Sequence, residues 1–348
     1  MTSTGSTHST GNPTSDARAG RALAAMHGLA IGDAMGMPTQ SMSLAQIRAD
    51  HGVITGFVDA GPHQRIAAGM RAGSITDDTE QAILVGGLLV EGGGRLDPVR
   101  FAEAIIDWER AMEAKGSLDL LGPSTKTAVE RILAGVPADQ AGSTGTTNGA
   151  AMRIAPVGIA TPATDLETLV DTVQDASRVT HDTGLGIAGA SAIAAAVSVG
   201  LDGATRADAI DAAIGAARIG ATRGHWIAGA DIADKTAWAR TYLPTVPDDE
   251  RIDVVSRLIG TSVASQESVV AALALVSLDL DPWETLGIAA SIGGDTDTIA
   301  AMAGAVLGAV HGPDAWPEHA VRTVVEVNGL DLHPLINGLL AIRTRTTD

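Results

Sequence analysis

Apolar residues recur along most of the chain at the three- and four-residue spacing of an α-helix. Phe101, Ile105, Trp108 and Met112 are one example, because this spacing places all four side chains on one helix face. Alternating strand patterns are scarce, and the best candidate is the short segment at residues 53–58. The apolar pattern predicts helices at residues 16–36, 97–114, 188–199, 204–217, 267–277, 298–310 and 317–327.

Capping signals mark the ends of two further predicted helices. One helix begins near Ser124, and Gly135 stands where its C-terminal cap is expected. The other follows Thr164-Asp-Leu-Glu167, which has the spacing of a capping box and precedes an apolar helical pattern. We therefore predict that this second helix is capped by Thr164.

The helical segments predict one compact all-α domain. No linker rich in Pro or Ser divides the chain, and we find no repeat of fixed period. The domain is expected to cover residues 16–348. Residues 1–15 are polar, low in complexity and without the apolar region of a signal peptide, so we expect a disordered tail there.

Composition excludes several classes of protein. The chain has no cysteine, which rules out disulfides and a cysteine nucleophile and fits a cytoplasmic location. Its formal net charge is −18, whereas sequence-independent nucleic-acid binding needs a basic face. No apolar stretch of about 18 residues free of charged and polar breaks is found, so no membrane span is expected.

Two polar clusters lie at the starts of apolar helical segments. They are residues 76–79 (Thr-Asp-Asp-Thr) and residues 295–298 (Asp-Thr-Asp-Thr). Helix capping would explain one Asp or Thr in each cluster, but not all of them. An EF-hand loop starting at Asp295 is rejected, because its sixth and twelfth positions hold Ala300 and Val306 instead of Gly and Glu. If the two clusters meet in the fold, their oxygen ligands suit Mg²⁺ or Mn²⁺.

Other motifs leave alternatives open. Gly184-Leu-Gly-Ile-Ala-Gly189 matches a dinucleotide fingerprint, but no clear strand precedes it, so we interpret its glycines as close helix packing. The small-residue loops at residues 116–125 and 145–153 would cradle a phosphate or form ordinary surface turns. His181 is either a structural histidine or a ligand contact.

Four motifs follow one another in a recognisable order. They are Gly28-Leu-Ala-Ile-Gly-Asp-Ala-Met-Gly-Met-Pro38, Thr76-Asp-Asp-Thr79, Thr147-Asn-Gly-Ala-Ala-Met-Arg-Ile-Ala-Pro156 and Gly294-Asp-Thr-Asp-Thr298. In this order they resemble the ADP-ribosylglycohydrolases. The resemblance implies an all-α ADP-ribosylglycohydrolase-like fold with a binuclear Mg²⁺ or Mn²⁺ centre.

The resemblance also implies site residues, position by position. The implied metal ligands are Thr76, Asp77, Asp78, Asp295, Asp297 and Thr298. The implied catalytic residues are Asp77, Asp78, Asp295, Asp297 and Gln40. The implied substrate contacts are Asp33, Gly116, Ser117, Asn148, Gly149, Ala150 and His181.

Gln40 departs from the family pattern. Members of the family commonly have Glu two residues after the proline that corresponds to Pro38, and here that position is Gln40. An amide cannot take up a proton at neutral pH, so any base must be one of the aspartates or an activated water.

The activity implied by the resemblance is hydrolysis of an N- or O-glycosidic bond at ribose C1 of an ADP-ribosyl substrate, protein-linked or free. Gln40 and an aromatic content of only 2% also allow a hydrolase of a smaller ribosyl compound or a nucleoside. A third hypothesis is a non-catalytic, crystallin-like binding or structural relative. The leaving group, the choice of metal and the oligomeric state are left open.

Overall fold

The computed structural model describes residues 13–116 and 121–347, and in these ranges it contains helices and isolated bridges but no β-strand. The first eight α-helices are α1 (Pro13–Gly36), α2 (Leu44–Asp50), α3 (Asp77–Glu91), α4 (Pro98–Ala114), α5 (Pro123–Leu133), α6 (Gly149–Met152), α7 (Ala155–Ala160) and α8 (Leu166–His181). They are followed by α9 (Gly184–Leu201), α10 (Arg206–Gly220), α11 (Ile232–Tyr242), α12 (Arg251–Val254), α13 (Ser265–Val276), α14 (Pro282–Ala289), α15 (Thr296–His311), α16 (Glu318–Asn328) and α17 (His333–Thr347). The predicted all-α fold is confirmed.

Three local predictions need correction. Residues 53–58 are irregular rather than a strand, and the N–H of Ile54 donates to the hydroxyl of Ser291 instead of a neighbouring strand. Asp165, not Thr164, caps α8, because its carboxylate accepts from the N–H of Glu167. Residues 13–15 begin α1, although they were assigned to the tail, and residues 1–12 lie outside the described part.

Helices α1 and α15 run antiparallel with their backbones almost in contact. A Cβ on Gly28 would lie 2.2 Å from the carbonyl oxygen of Gly304, and one on Gly32 would lie 2.0 Å from that of Ala300. A Cβ on Gly36 would lie 2.4 Å from the carbonyl oxygen of Thr296. Glycine at every fourth position of α1 therefore allows this approach, which brings the end of α1 beside the start of α15.

Helix α9 is a central helix of the core. Within the described residues it is the one helix long and apolar enough to cross a membrane, with a mean hydropathy of 1.8 over a window that is 94% buried. The expectation that no such stretch exists is therefore wrong. A buried core helix meets the same criteria, and α9 packs against α7, α8, α10 and α15.

The glycines at the start of α9 lie at close contacts, in agreement with their interpretation as packing residues. A Cβ on Gly184 would lie 2.8 Å from the carbonyl oxygen of Ala221, and one on Gly186 would lie 2.7 Å from that of His181. Thr183 caps the helix by accepting from the N–H of Gly186. This segment is thus a helix start without the preceding strand of a dinucleotide site.

Candidate active site

The two polar clusters meet at the starts of α3 and α15. The hydroxyl oxygen of Thr298 lies 3.4 Å from Asp78 Oδ2, although 220 positions separate the two residues. The antiparallel packing of α1 on α15 supports this meeting, because Asp33 near the end of α1 also contacts the start of α3. The structure thus gathers the carboxylates of both clusters in one region.

Helix capping does not account for the two clusters. Thr76 and Asp295 occupy the N-cap positions of α3 and α15, yet neither side chain accepts a capping hydrogen bond. The Thr76 hydroxyl instead donates to Asp33 at 2.7 Å, and the Asp295 carboxylate accepts from Asn148 Nδ2 at 2.5 Å. Both side chains are therefore used in tertiary contacts.

Asp33 is fully buried and holds the first turn of α3 in place. Its carboxylate accepts from the backbone N–H groups of Thr76 at 3.0 Å and Thr79 at 3.1 Å, and from the Thr79 hydroxyl at 2.5 Å. Burial raises the pKa of Asp33 to about 6, and the hydrogen bonds from Thr79 and Thr76 oppose that rise. Asp33 therefore fixes the position from which Asp77 and Asp78 project.

The clustered carboxylates repel one another. Burial, followed by the charges of Asp297 and Asp77, raises the pKa of Asp78 well above its ordinary value. Burial also raises the pKa of Asp295, against the hydrogen bonds from Asn148 and Thr298. A group of buried carboxylates with raised pKa values takes up either protons or cations.

The chemistry of the donor set fits a hard divalent cation. All of the candidate ligands offer oxygen, which Mg²⁺ and Mn²⁺ prefer. Asp78 Oδ1 is buried and accepts no hydrogen bond from the described residues, so it is available to a cation. Within the described ranges, no group of three or more His, Cys, Asp or Glu side chains is already arranged around a single metal position.

Two adjoining cavities open beside the carboxylates, each with a volume of about 360 Å³. The first cavity is lined by Gln40, Asp77, Gly149, Asp295, Asp297 and Thr298, among others. The second cavity is lined by Asp77, Glu80, Trp108, Met112, Lys115 and Gly116, among others. Asp77 and Ile66 line both cavities, so the carboxylate cluster lies where the two spaces meet.

Some of the predicted substrate contacts lie on a cavity wall. Asn148 and Gly149 line the first cavity, together with Gln40. Gly116 lines the second cavity instead. Ser117 lies outside the described residues.

Asp33, Ala150 and His181 lie behind the cavity walls. They are 0%, 2% and 0% exposed, and none of them lines either cavity. In this structure they reach the cavities only through the residues that they touch, and their direct contact with a substrate stays a prediction. His181, for example, is so close to Gly149 that a Cβ on the glycine would lie 3.0 Å from the imidazole.

Asn148 connects the loop at residues 145–153 to the start of α15. Its Nδ2 donates to Asp295 Oδ2 at 2.5 Å and to the hydroxyl of Ser268 at 2.9 Å. Its backbone N–H donates to the carbonyl of Val263 at 2.9 Å. These contacts fix both the loop and the orientation of the Asp295 carboxylate.

Gln40 has an amide with no partner at the edge of the first cavity. The residue is 5% exposed, and its Nε2 donates no hydrogen bond to any of the described residues. Its backbone carbonyl is held by Gln64 Nε2 at 3.1 Å, which fixes the chain at this point. A buried amide without a partner is costly, so a ligand oxygen in the first cavity would be a favourable partner for it.

A buried hydrogen-bond chain runs from Asp77 to Arg153. Gln81 Nε2 donates to Asp77 Oδ2 at 3.0 Å, and Gln81 Oε1 accepts from Arg153 at 2.6 Å. The guanidinium also lies 5.1 Å above the ring of Phe101. Burial lowers the pKa of Arg153 to about 10, against the attraction of Asp77, so the side chain remains a cation at neutral pH.

The chain continues from Arg153 to the wall of the first cavity. Arg153 donates to Thr180 Oγ1 at 2.6 Å, Thr180 Oγ1 lies 2.7 Å from His181 Nδ1, and His181 Nε2 lies 3.0 Å from Thr147 Oγ1. Burial, followed by the charge of Arg153, holds the pKa of His181 well below its ordinary value, so the imidazole is neutral. Thr147 lines the first cavity. The site therefore includes a polar support that links the Asp77 carboxylate to Thr147 on the wall of the first cavity.

Sequence reasoning missed several members of this support. Gln81 carries a usable signal, because it follows Asp77 by four positions on one face of α3. Thr180 and Ser268 carry none, since Thr180 is linked to Arg153 and Ser268 to Asn148, and both donors lie far away in the sequence. Glu80 has a similar signal, because it follows Asp77 by three positions in α3, but no sequence pattern places Trp108 beside the same cavity.

Carboxylates gathered beside a cleft are suited to general acid–base chemistry, and hydrolysis of a glycosidic bond by paired carboxylates is one example. Residues 14–347 match the model of the ADP-ribosylglycohydrolase family. The chain is 34% identical to the Escherichia coli protein YegU over 93% of this chain and 97% of that protein. It is 26% identical to the ADP-ribosylarginine hydrolase Tri1 of Pseudomonas putida over 87% of this chain and 74% of that protein.

A solved structure has the same fold. It is described as an ADP-ribosylglycohydrolase-related protein complex, and it matches with a TM-score of 0.68 and 23% identity over 94% of this chain and 99% of that chain. The chain belongs to the ADP-ribosylglycohydrolase family, whose enzymes hydrolyse ADP-ribosyl linkages. The family resemblance found in the sequence is thus confirmed.

Proposed function

We propose that this protein hydrolyses the N- or O-glycosidic bond at ribose C1 of an ADP-ribosyl substrate, protein-linked or free. The observation that carries the proposal is the convergence of the carboxylates from α3 and α15 on the first cavity. The same cavity is also lined by Gln40, Thr147 and Asn148, which offer hydrogen-bonding groups. One relative that matches most of the chain is itself named as an ADP-ribosylarginine hydrolase, which supports the proposal.

The reaction needs a group that accepts a proton from water. The water oxygen forms a bond to C1, the C1–N or C1–O bond breaks, and the leaving atom keeps the electron pair and receives a proton. Asp77, Asp295 and Asp297 line the first cavity and offer carboxylates for this proton transfer, whereas Gln40 cannot act as a base. Positive charge that develops at C1 is stabilised by the same carboxylates.

Divalent cations fit this proposal. Two Mg²⁺ or Mn²⁺ ions would be held by Thr76, Asp77, Asp78, Asp295, Asp297 and Thr298. Bound there, such ions would lower the pKa of water and orient the ribose hydroxyls. They would also offset the repulsion that raises the pKa of Asp78.

The test compares Asp77→Asn and Asp297→Asn with the wild type, and measures release of free ADP-ribose from ADP-ribosylated arginine and serine peptides with Mg²⁺ or Mn²⁺. We expect kcat/KM to fall by about 100- to 10,000-fold, the range for a lost acid–base group. Stability should not fall, because each change removes a charge from a repelling cluster. Asp107→Asn on the exposed side of α4 is the matched control. Activity within about threefold of wild type in both variants would refute the proposal.

A smaller ribosyl compound is a second candidate substrate. The described residues that line the first cavity include no aromatic side chain on which an adenine could stack. Measuring free ribose alongside free ADP-ribose, with nucleosides and ADP-ribosyl compounds in one substrate panel, separates the two activities. Ribose release from nucleosides without ADP-ribose release would favour the second candidate.

A further inference from the structure

The second cavity adjoins the carboxylate cluster on the side away from Asn148. It shares Asp77 and Ile66 with the first cavity, but none of Gln40, Asn148 or Asp295 lines it. Hydrolysis separates a substrate into two parts at one bond. A site for it therefore needs one space for each part, and the two spaces must meet at the reacting groups. The two cavities provide this arrangement, and the proposed function uses only the first.

The second cavity contains a carboxylate that the first cavity lacks, that of Glu80. Trp108 Nε1 donates to Glu80 Oε2 at 2.6 Å, which holds the carboxylate against the indole. Met70, Met112 and other apolar side chains form much of the remaining wall. An anchored carboxylate among apolar side chains suits a ligand that has a hydrogen-bond-donating cation on an apolar arm.

Glu80 lies close to Asp77, beside which the glycosidic bond would be cleaved. It follows Asp77 by three positions in α3, so the two side chains share a helix face with Cβ atoms about 5–6 Å apart. A group that contacts Glu80 is therefore within one helix turn of the carbon that reacts beside Asp77. The adenine of an ADP-ribosyl substrate is separated from ribose C1 by a diphosphate and a second ribose, whereas the leaving group is bonded to C1 itself.

We propose that the second cavity binds the leaving group, and that Glu80, positioned by Trp108, selects a guanidinium-type leaving group over a hydroxyl-type one. This inference rests on the proposed hydrolase function. A guanidinium presents a planar fork of N–H donors, which matches a carboxylate better than a single hydroxyl does. Lys115 lies at the exposed rim of the cavity and would repel a cationic group there, so the binding position is the inner wall at Glu80.

The experiment compares Glu80→Gln and Trp108→Phe with the wild type on two substrates, a peptide with ADP-ribosylarginine and a peptide with ADP-ribosylserine. In both variants kcat/KM for the arginine-linked substrate should fall by about 10- to 100-fold, the effect of weakening a charged hydrogen bond. The serine-linked substrate should change by less than about threefold, and the affinity for ADP-ribose should not change. The matched control is Glu113→Gln, an exposed position on the same helix as Trp108 that does not line the cavity.

Two outcomes would overturn the inference. An equal loss on both substrates would show that Glu80 has no role in choosing the leaving group. A lost affinity for ADP-ribose, measured by calorimetry, would show that the second cavity holds part of the nucleotide.

A binding measurement keeps this inference separate from the proposed function. If neither peptide is cleaved, the proposed function fails, and binding of agmatine to the protein in the presence of ADP-ribose still tests the cavity. Saturation-transfer NMR should detect agmatine with wild-type protein and with Glu113→Gln, but not with Glu80→Gln. Equal signals from all three proteins would overturn the inference.

Discussion

Thr147 is the last residue of a chain of hydrogen bonds that begins at the buried guanidinium of Arg153. Because Arg153 can only donate, it determines which atom donates in each of the bonds that follow. A guanidinium has only donors, so Thr180 Oγ1 accepts from Arg153. No third partner of the Thr180 hydroxyl occurs among the described residues, so its hydrogen is directed to His181 Nδ1. The neutral imidazole then carries its hydrogen on Nε2 and donates it to Thr147. The Thr147 hydroxyl is thereby left to donate into the first cavity.

This direction predicts different effects of two substitutions at one position. Thr147→Val removes the hydroxyl and leaves the buried His181 Nε2–H unsatisfied, so kcat/KM should fall by about tenfold. Thr147→Ser keeps the hydroxyl and should remain within about threefold of the wild type. Steady-state kinetics on the substrate that the wild type cleaves would measure both changes. A serine variant as impaired as the valine variant would contradict the predicted donor.

Single residues also show where sequence reasoning ends. The ligand-type residues Asp77, Asp78, Asp295 and Asp297 are recognisable, because oxygen donors at helix starts form a local pattern. Asp33 is recognisable as part of a motif, but its role is not, since the four groups that donate to its carboxylate reach it only because of where α1 ends relative to α3. A residue is therefore easier to recognise than its role. The local sequence determines which polar atoms are present, whereas tertiary packing determines which partners those atoms meet.

At the scale of the helix, the sequence predicts which helices are present but not which of them pack together. The apolar spacing predicts most of the long helices to within a few residues, and the missed elements include α6 (Gly149–Met152) and α7 (Ala155–Ala160), which are too short to show a period. The meeting of α3 and α15 leaves no local signal. It follows from the packing of α1 on α15, which the glycines of α1 make possible.

Gly32 is therefore expected to be intolerant of even one methyl group. In Gly32→Ala the new Cβ would lie 2.0 Å from the carbonyl oxygen of Ala300, so α1 and α15 would have to separate. We expect a loss of about 3 kcal/mol or more in the free energy of unfolding, at the upper end of overpacking effects. Denaturant-induced unfolding followed by circular dichroism would measure it.

The matched control for this prediction is another helical glycine. A Cβ on Gly87 of α3 would meet no atom within 4 Å. Gly87→Ala should stabilise the protein by up to about 1 kcal/mol, because alanine has the higher helix propensity. Equal effects of the two substitutions would show that the contact of α1 with α15 is not tight.

At the scale of the whole molecule, burial sets the response of stability to pH. Burial, followed by the charge of His333, lowers the pKa of His27 from 6.5 to about 4. Burial raises the pKa of Asp33 from 3.8 to about 6. As the pH falls through this range, protonation of Asp33 increases stability, whereas protonation of His27 is disfavoured in the folded state and decreases stability. The pH dependence of the wild type alone therefore mixes these two groups with the other buried titratable groups, and only a difference between proteins isolates one of them.

His27→Gln isolates the contribution of the histidine. The folded-state pKa of His27 lies below the unfolded value, so its contribution to stability is complete above pH 6.5 and is lost as the pH falls towards about 4. Glutamine does not titrate, so between about pH 7 and about pH 4.5 the wild type should lose roughly 2 kcal/mol more than the variant. Urea unfolding of both proteins at the two pH values measures the difference. Parallel losses in the two proteins would show that His27 becomes protonated as readily in the folded state as in the unfolded chain.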